Sequence, residues 1–218
     1  MSPDPLDDTR QRLLTAAGEI FASVGFKGAT TRDICGRAAA NGAAINYYFR
    51  DKQGLYQAAV EAAHGCSPEL ANPHWPSSFT TADKLRTYVS KFLSQLLDPE
   101  RPAWHARLML REMAEPTDAC VLLVEAYIRP MAMTLRAILD DSLPARLTES
   151  QRWMVGFSIV SQCLFYKTNR AVAKLLVGSA DFNDFQVEHI ADHIARFSLA
   201  ALGLAPSAFR DSPAEAKR

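Results

Sequence analysis

The chain has 218 residues, 48% of them apolar, which excludes an unfolded or fibrous protein and suffices for one large domain or two small ones. Its 24 Lys plus Arg balance 24 Asp plus Glu, so the totals advertise no polyanion, membrane surface or acidic substrate as partner. A zero total can still hide local charge.

The start, Met-Ser-Pro-Asp-Pro-Leu-Asp-Asp, is acidic and broken by proline where a secretory signal needs a basic end and an apolar stretch, so a cytoplasmic protein is expected. In the first helical segment Leu13, Leu14, Ala17, Ile20, Phe21 and Val24 share one side, with Asp8 and Gln11 as a cap and Gly25 as the stop. Thr30 to Asp33 cap a second, short helix through Ile34 and Ala38. Asn41 can cap a third, Ala43 to Phe49, and Asp51 a fourth running from Lys52 toward Ala63. So many caps in so short a stretch describe a compact helical module.

Gly65 to Ser78, rich in Pro, Gly and Ser, reads as a loop between two parts of the protein. Beyond it the pattern predicts helices from Thr80 or Thr81 to before Pro99, Pro102 to Glu115, Asp118 to about Leu143, Thr148 to about Leu176 and Asp184 to Leu202. Pro130 should kink the third of these. The fold class is therefore all-α: residues 1–65 a compact helical domain, 66–205 a second helical domain, and 206–218 a frayed tail. The longest nearly uninterrupted apolar run, Met154 to Tyr166, falls short of the roughly 20 residues that span a bilayer, so no membrane partner is expected. Cys35, Cys66, Cys120 and Cys163 lie too far apart for a zinc knuckle or a small disulfide scaffold and read as buried thiols.

Two short helices joined by a tight turn and braced by a longer helix on each side are the parts of a helix-turn-helix DNA reader. The strings Thr30-Thr-Arg-Asp-Ile34, Ala38-Ala-Ala-Asn-Gly-Ala-Ala-Ile-Asn-Tyr-Tyr-Phe49 and Asp51-Lys-Gln-Gly-Leu-Tyr56 resemble the amino-terminal domain of the TetR family of repressors. Together with Arg111-Glu-Met-Ala-Glu-Pro-Thr117, the Ala-Ala-Ile-Asn-Tyr-Tyr-Phe string looks most like the CecR-type subgroup.

The resemblance implies that Asn41 to Tyr48 form the recognition helix, with Ile45 and Phe49 buried. Ala43 and Ala44 would then lie nearest the base edges, and Asn46 could pair bidentately with adenine. Tyr47, Tyr48 and Thr31 can donate hydroxyls to phosphates, and Lys52 stands where the family commonly grips the backbone. Three positions depart from the usual pattern: Gly42 replaces a frequent Lys, Asn46 a frequent Tyr, and Ala39 a frequent turn Gly. The base preference of better-known members therefore does not transfer. From Phe26 to Tyr56, Lys27, Arg32, Arg37, Arg50 and Lys52 outnumber Asp33 and Asp51, leaving a modest local excess of positive charge.

A homodimer is expected, because one helix-turn-helix unit binds weakly. Val187, Ile190, Ile194, Phe197 and Ala201 of the last helix, with Ile159 and Cys163 of the apolar helix before it, are the candidate interface. The resemblance further implies a pocket for a small-molecule effector. Its candidate lining is Phe92, Trp104, Leu108, Arg111, Glu112, Tyr127, Met131, Gln162, Phe165 and Tyr166, of which Arg111 and Glu112 can equally serve as structural pairs. No cofactor is expected. The rival readings are a metal-binding helical-bundle enzyme and a DNA-binding protein without effector control. For the enzyme the chain offers only one Glu-x-x-His match, Glu61 to His64, and the pair His189 and His193.

Overall fold

In a computed structural model of the chain, residues 5–65, 68–140 and 142–204 are described, and every regular element among them is helical. In chain order the helices are α1 (Pro5–Gly28), α2 (Thr31–Ala38), α3 (Ala43–Phe49), α4 (Lys52–His64), α5 (Pro68–Ala71) and α6 (Thr81–Leu97). They continue as α7 (Ala103–Ala114), α8 (Asp118–Leu123), a π-helical turn (Val124–Ile128) and α9 (Arg129–Asp140). The last four are α10 (Glu149–Thr168), α11 (Arg170–Val177), α12 (Ser179–Phe182) and α13 (Val187–Ala201).

These elements sort into two compact units that do not follow chain order. Among the described residues, one holds 5–65 with 100–128, the other 68–99 with 129–140 and 142–204. The stretch carrying α7 and α8, expected in the second domain, therefore packs with the first: α7 lies along α1 and α4, and α8 against α4. The reason is its buried stripe. Trp104 and Leu108 stand one turn apart on α7 and join Leu13, Phe21, Ile34, Ile45, Leu55 and Leu123 in a single core.

The second unit is built around α6, whose buried Leu85, Tyr88, Val89 and Leu93 meet Ile190, Ala191, Ile194 and Ala195 of α13. Met131, Leu135 and Ile138 of α9 and Ile159 and Cys163 of α10 complete that core. Arg136 ties α9 to α10: its guanidinium donates to Asp140 at 2.9 Å and to both oxygens of Glu149 at 2.6 and 2.8 Å.

Most helix starts follow from side-chain chemistry. Thr30, Asp51, Thr80 and Thr148 each accept an N–H from the first turn, and Thr80 with Asp83 and Thr148 with Gln151 form full capping boxes. Other boundaries differ from expectation. Asp8 does not cap α1, which begins at Pro5; Asp8 instead pairs with Arg12 one turn on, at 3.1 Å. Gly25 does break α1, at φ 75°. A four-residue helix, α5, stands inside the expected loop. The helix expected from Asp118 to Leu143 is interrupted by the π turn, because Pro130 lacks the N–H that would continue the ladder and its ring crowds the carbonyl four residues earlier. The one expected from Thr148 to Leu176 breaks at Asn169 (φ −113°, ψ 17°), and α13 starts at Val187 rather than Asp184. The segment 206–218, expected to fray, lies outside the described residues, as does Cys66.

Among the described residues no helix is long and apolar enough to cross a membrane.

Candidate nucleic-acid interface

The reading head is assembled by caps at both ends of two short helices. Thr30 Oγ1 accepts the Asp33 N–H at 3.1 Å and donates to its carboxylate at 2.6 Å, so α2 starts at Thr31 with Ile34, Cys35 and Ala38 turned inward. The chain then turns at Ala39, which adopts a left-handed conformation (φ 48°, ψ 45°), and the Ala40 N–H returns to the Cys35 carbonyl at 3.0 Å. This is the turn position that glycine fills at least strain. Asn41 follows as the effective cap of α3, its Oδ1 accepting the Ala43 N–H at 3.0 Å and its carbonyl the Ala44 N–H at 2.9 Å.

One helical turn is enough to separate two faces of α3. Ile45 and Phe49, four apart, are buried; Ala43, Asn46 and Tyr47 are exposed, and Ala44 and Tyr48 are half-buried against the core. Tyr47 is 74% exposed and its ring meets that of Tyr48 edge-on at 4.8 Å, so the two phenols form one outward-facing ledge. Thr31 is exposed at the first residue of α2. Lys52, at the first residue of α4, lies with Nζ 4.5 Å above the Phe26 ring. Asp51 holds that helix start by accepting the Gly54 N–H at 2.8 Å.

The charge around the head is smaller than its count. Arg37 is spent on Glu19 of α1 at 2.5 Å, leaving Lys27, Arg32 and Arg50 exposed at its periphery. Burial pushes the Cys35 thiol above its ordinary value, so it carries no charge here.

The residues expected to line an effector pocket are not brought together in one unit. Trp104 and Leu108 are core residues of the first unit. Glu112, fully buried on α7, is a correction: both oxygens are engaged, one by the Tyr56 hydroxyl at 2.5 Å, the other by the N–H and hydroxyl of Thr117 at 2.8 Å each. A carboxylate so saturated is not offered to a ligand. Arg111 sits beside Gly25, with Nη1 3.0 Å from where a Cβ there would lie, and the ring of Tyr127 is 5.8 Å from that of His64.

In the second unit Met131 is buried, Phe92 stacks beside Tyr88, and Tyr166 packs near Phe185. Gln162 donates to the Ser158 carbonyl of its own helix at 3.2 Å, and Phe165 is exposed.

The dimer candidates also need correction. Ile159, Cys163, Ile190 and Ile194 are each 4% exposed or less within one chain, so they pack its own core rather than a partner, and Val187 is half-buried there too. Phe197 and Ala201 are exposed, and they share the outer face of α13 with His189 and His193. The matching face of α10 carries exposed Met154, Phe157, Leu164 and Phe165. Among the described residues no group of three His, Cys, Asp or Glu is placed to hold a metal.

Comparison with known proteins agrees with this geometry. The sequence profile of the HTH-type transcriptional dual regulator CecR, C-terminal domain, matches residues 81–202, more than half of the chain, and that of the bacterial regulatory proteins, tetR family, matches residues 13–59. The chain belongs to the TetR family, as a regulator of the CecR type. The HTH-type transcriptional dual regulator CecR of Shigella flexneri is 23% identical over 194 residues, covering 84% of this chain and 86% of that one. The fold resembles a TetR-like transcriptional regulator from Rhodococcus sp. RHA1 (TM-score 0.61, 18% identity, 93% of this chain and 99% of that one). It also resembles HlyIIR, a hemolysin II transcriptional regulator (TM-score 0.56, 20% identity, 82% and 97%). TetR proteins are DNA-binding regulators of transcription, not enzymes, and the helix-turn-helix of this TetR chain is α2 and α3.

Proposed function

We propose that this TetR-family chain is a repressor that binds a palindromic operator as a homodimer and is released by a small molecule. The observation that carries the reading is the division of α3, with Ile45 and Phe49 inward and Ala43, Asn46 and Tyr47 outward. In the complex Asn46 reads an adenine edge, and Ala43 and Ala44 lie against base edges where a methyl meets a thymine methyl. Asn41, Thr31, Tyr47, Tyr48 and Lys52 hold the flanking backbone.

Pairing is supported by the outer faces of α10 and α13, whose exposed Met154, Phe157, Leu164, Phe165 and Phe197 form an apolar surface larger than scattered singles. Two heads are needed to reach half-sites about 34 to 36 Å apart. The effector reading rests on the family resemblance and on the aromatic residues packed around the second unit's core, with Phe92, Met131 and Tyr166 as candidate contacts. A ligand that prefers the conformation with wrongly spaced heads weakens operator binding by its differential affinity, about 1 to 3 kcal/mol of coupling.

Sedimentation of the wild type and of Phe157→Glu tests the pairing: the wild type sediments as a dimer and the variant as a monomer with reduced operator affinity. Compounds that raise the melting temperature are then added to the protein–operator complex. Release by at least one of them supports the effector reading; if every bound compound leaves operator affinity unchanged, the chain regulates without an effector.

A further inference from the structure

The Arg111–Thr117 string, which marks the chain as CecR-like, lies in the same compact unit as the reading head. Two of its charged side chains, Glu112 and Arg111, reach different parts of that unit. Glu112 is 0% exposed and stays satisfied only because Tyr56 of α4 and Thr117 donate to it. The Thr117 hydroxyl serves twice, donating to Glu112 and accepting the Ala119 N–H at 3.2 Å, so the same carboxylate is tied to the start of α8. Arg111 lies against the open side of Gly25, the break that precedes Phe26.

The Tyr56 contact leads on to Phe26. The Tyr56 ring, fixed by its hydroxyl, stands edge-on to Phe21 at 4.8 Å and to Phe26 at 5.1 Å. The face of Phe26 in turn supports the ammonium of Lys52, which lies one turn before Tyr56 on α4.

We infer that Glu112 and Tyr56 are positioning residues for DNA binding, holding Phe26 as the platform that aims Lys52 at the operator backbone. The inference rests on the reading of Lys52 as a phosphate contact. When Tyr56 loses its hydroxyl, one oxygen of Glu112 is left buried without a donor; the carboxylate shifts, the wall beside Phe26 loosens, and Lys52 is no longer held in place.

A double-mutant cycle on operator affinity in the full-length chain tests this, with Lys52→Met, Tyr56→Phe and the pair, each measured over a range of salt well below the melting temperature. Lys52→Met is expected to weaken binding about tenfold and flatten the log–log salt slope by about one per subunit. Tyr56→Phe is expected to weaken binding about threefold to tenfold with a flatter slope, and the pair to be no weaker than Lys52→Met alone. If Tyr56→Phe leaves affinity and slope unchanged, or if its loss multiplies that of Lys52→Met, the positioning role is wrong while the phosphate contact stands. If Lys52→Met itself changes nothing, the phosphate contact is wrong and the inference falls with it. Should Tyr56→Phe fail to fold, Thr117→Val removes the other hydroxyl from the same carboxylate and enters the same cycle, and Thr117→Ser restores wild-type binding.

Discussion

Gly18 sits in the middle of α1, where helix propensity alone favours alanine by about 1 kcal/mol. The structure reverses that sign. A Cβ at Gly18 would lie 2.4 Å from Cε3 and Cζ3 of Trp104 and 2.6 Å from its Cη2, so the indole face rests directly on the α1 backbone. Ordinary carbon contacts need about 3.5 to 4.0 Å, which means that the ring would have to retreat by about 1 Å. Trp104 is 7% exposed inside the core of the first unit, so its retreat disturbs the packing around it. Overpacking of this kind costs about 1 to 3 kcal/mol. Set against the propensity gain of about 1 kcal/mol, Gly18→Ala should lose up to about 2 kcal/mol, a fall in melting temperature of up to about 8 °C for a chain of this size. Calorimetry of four proteins decides it: wild type, Gly18→Ala, Trp104→Leu and the double variant. With the indole gone the clash is gone, so Gly18→Ala in the Trp104→Leu background should stabilise by about 0.5 to 1 kcal/mol. A stabilising Gly18→Ala in the wild type, or an equal loss in both backgrounds, would refute the close approach of α7 to α1.

Ala39 occupies the left-handed turn residue between α2 and α3, so Ala39→Gly should raise stability by about 1 kcal/mol and the melting temperature by about 2 to 4 °C; an unchanged or lower melting temperature would count against that turn. Burial pushes the Cys163 thiol up to about 12, so at pH 8 the native protein should hold it unreactive toward alkylating reagents, and it should react only after denaturation or as the pH approaches 12. Mass-spectrometric mapping of alkylation shows whether it does. With about four to six phosphates neutralised per dimer, operator affinity should fall with salt at a log–log slope of about −4 to −5. A slope near −10 would mean that far more of the surface meets DNA than the head provides.

The sequence made the reading head legible because its signals are local: Thr30, Asn41 and Asp51 announce helix starts by chemistry that acts within one turn, as Thr80 and Thr148 do in the second unit. What it hid is long-range. The place of α7 beside α1 and α4 depends on contacts between residues some ninety positions apart in the chain, such as Gly18 with Trp104. Glu112 did carry a signal, since a carboxylate four residues after Leu108 and eight after Trp104 falls in a buried register and demands donors. On α10 apolar residues occur nearly all round, so periodicity could not say that Ile159 and Cys163 face inward while Met154 and Phe157 face out. The π turn before Pro130 and the break at Asn169 escaped for a different reason: the pattern on either side is helical, and only backbone geometry tells a kink from an interruption.

The claim at the centre is that the outer face of α3 reads DNA sequence. It is tested most directly by selecting binding sites from random duplexes and measuring the affinity of wild type and Asn46→Ala for the selected and for unselected DNA. The selected sites should form an inverted repeat bound by two chains, and Asn46→Ala should weaken selected DNA by about tenfold or more while leaving unselected DNA nearly unaffected. Selection that yields no common sequence, or an Asn46→Ala loss equal on both kinds of DNA, would contradict it.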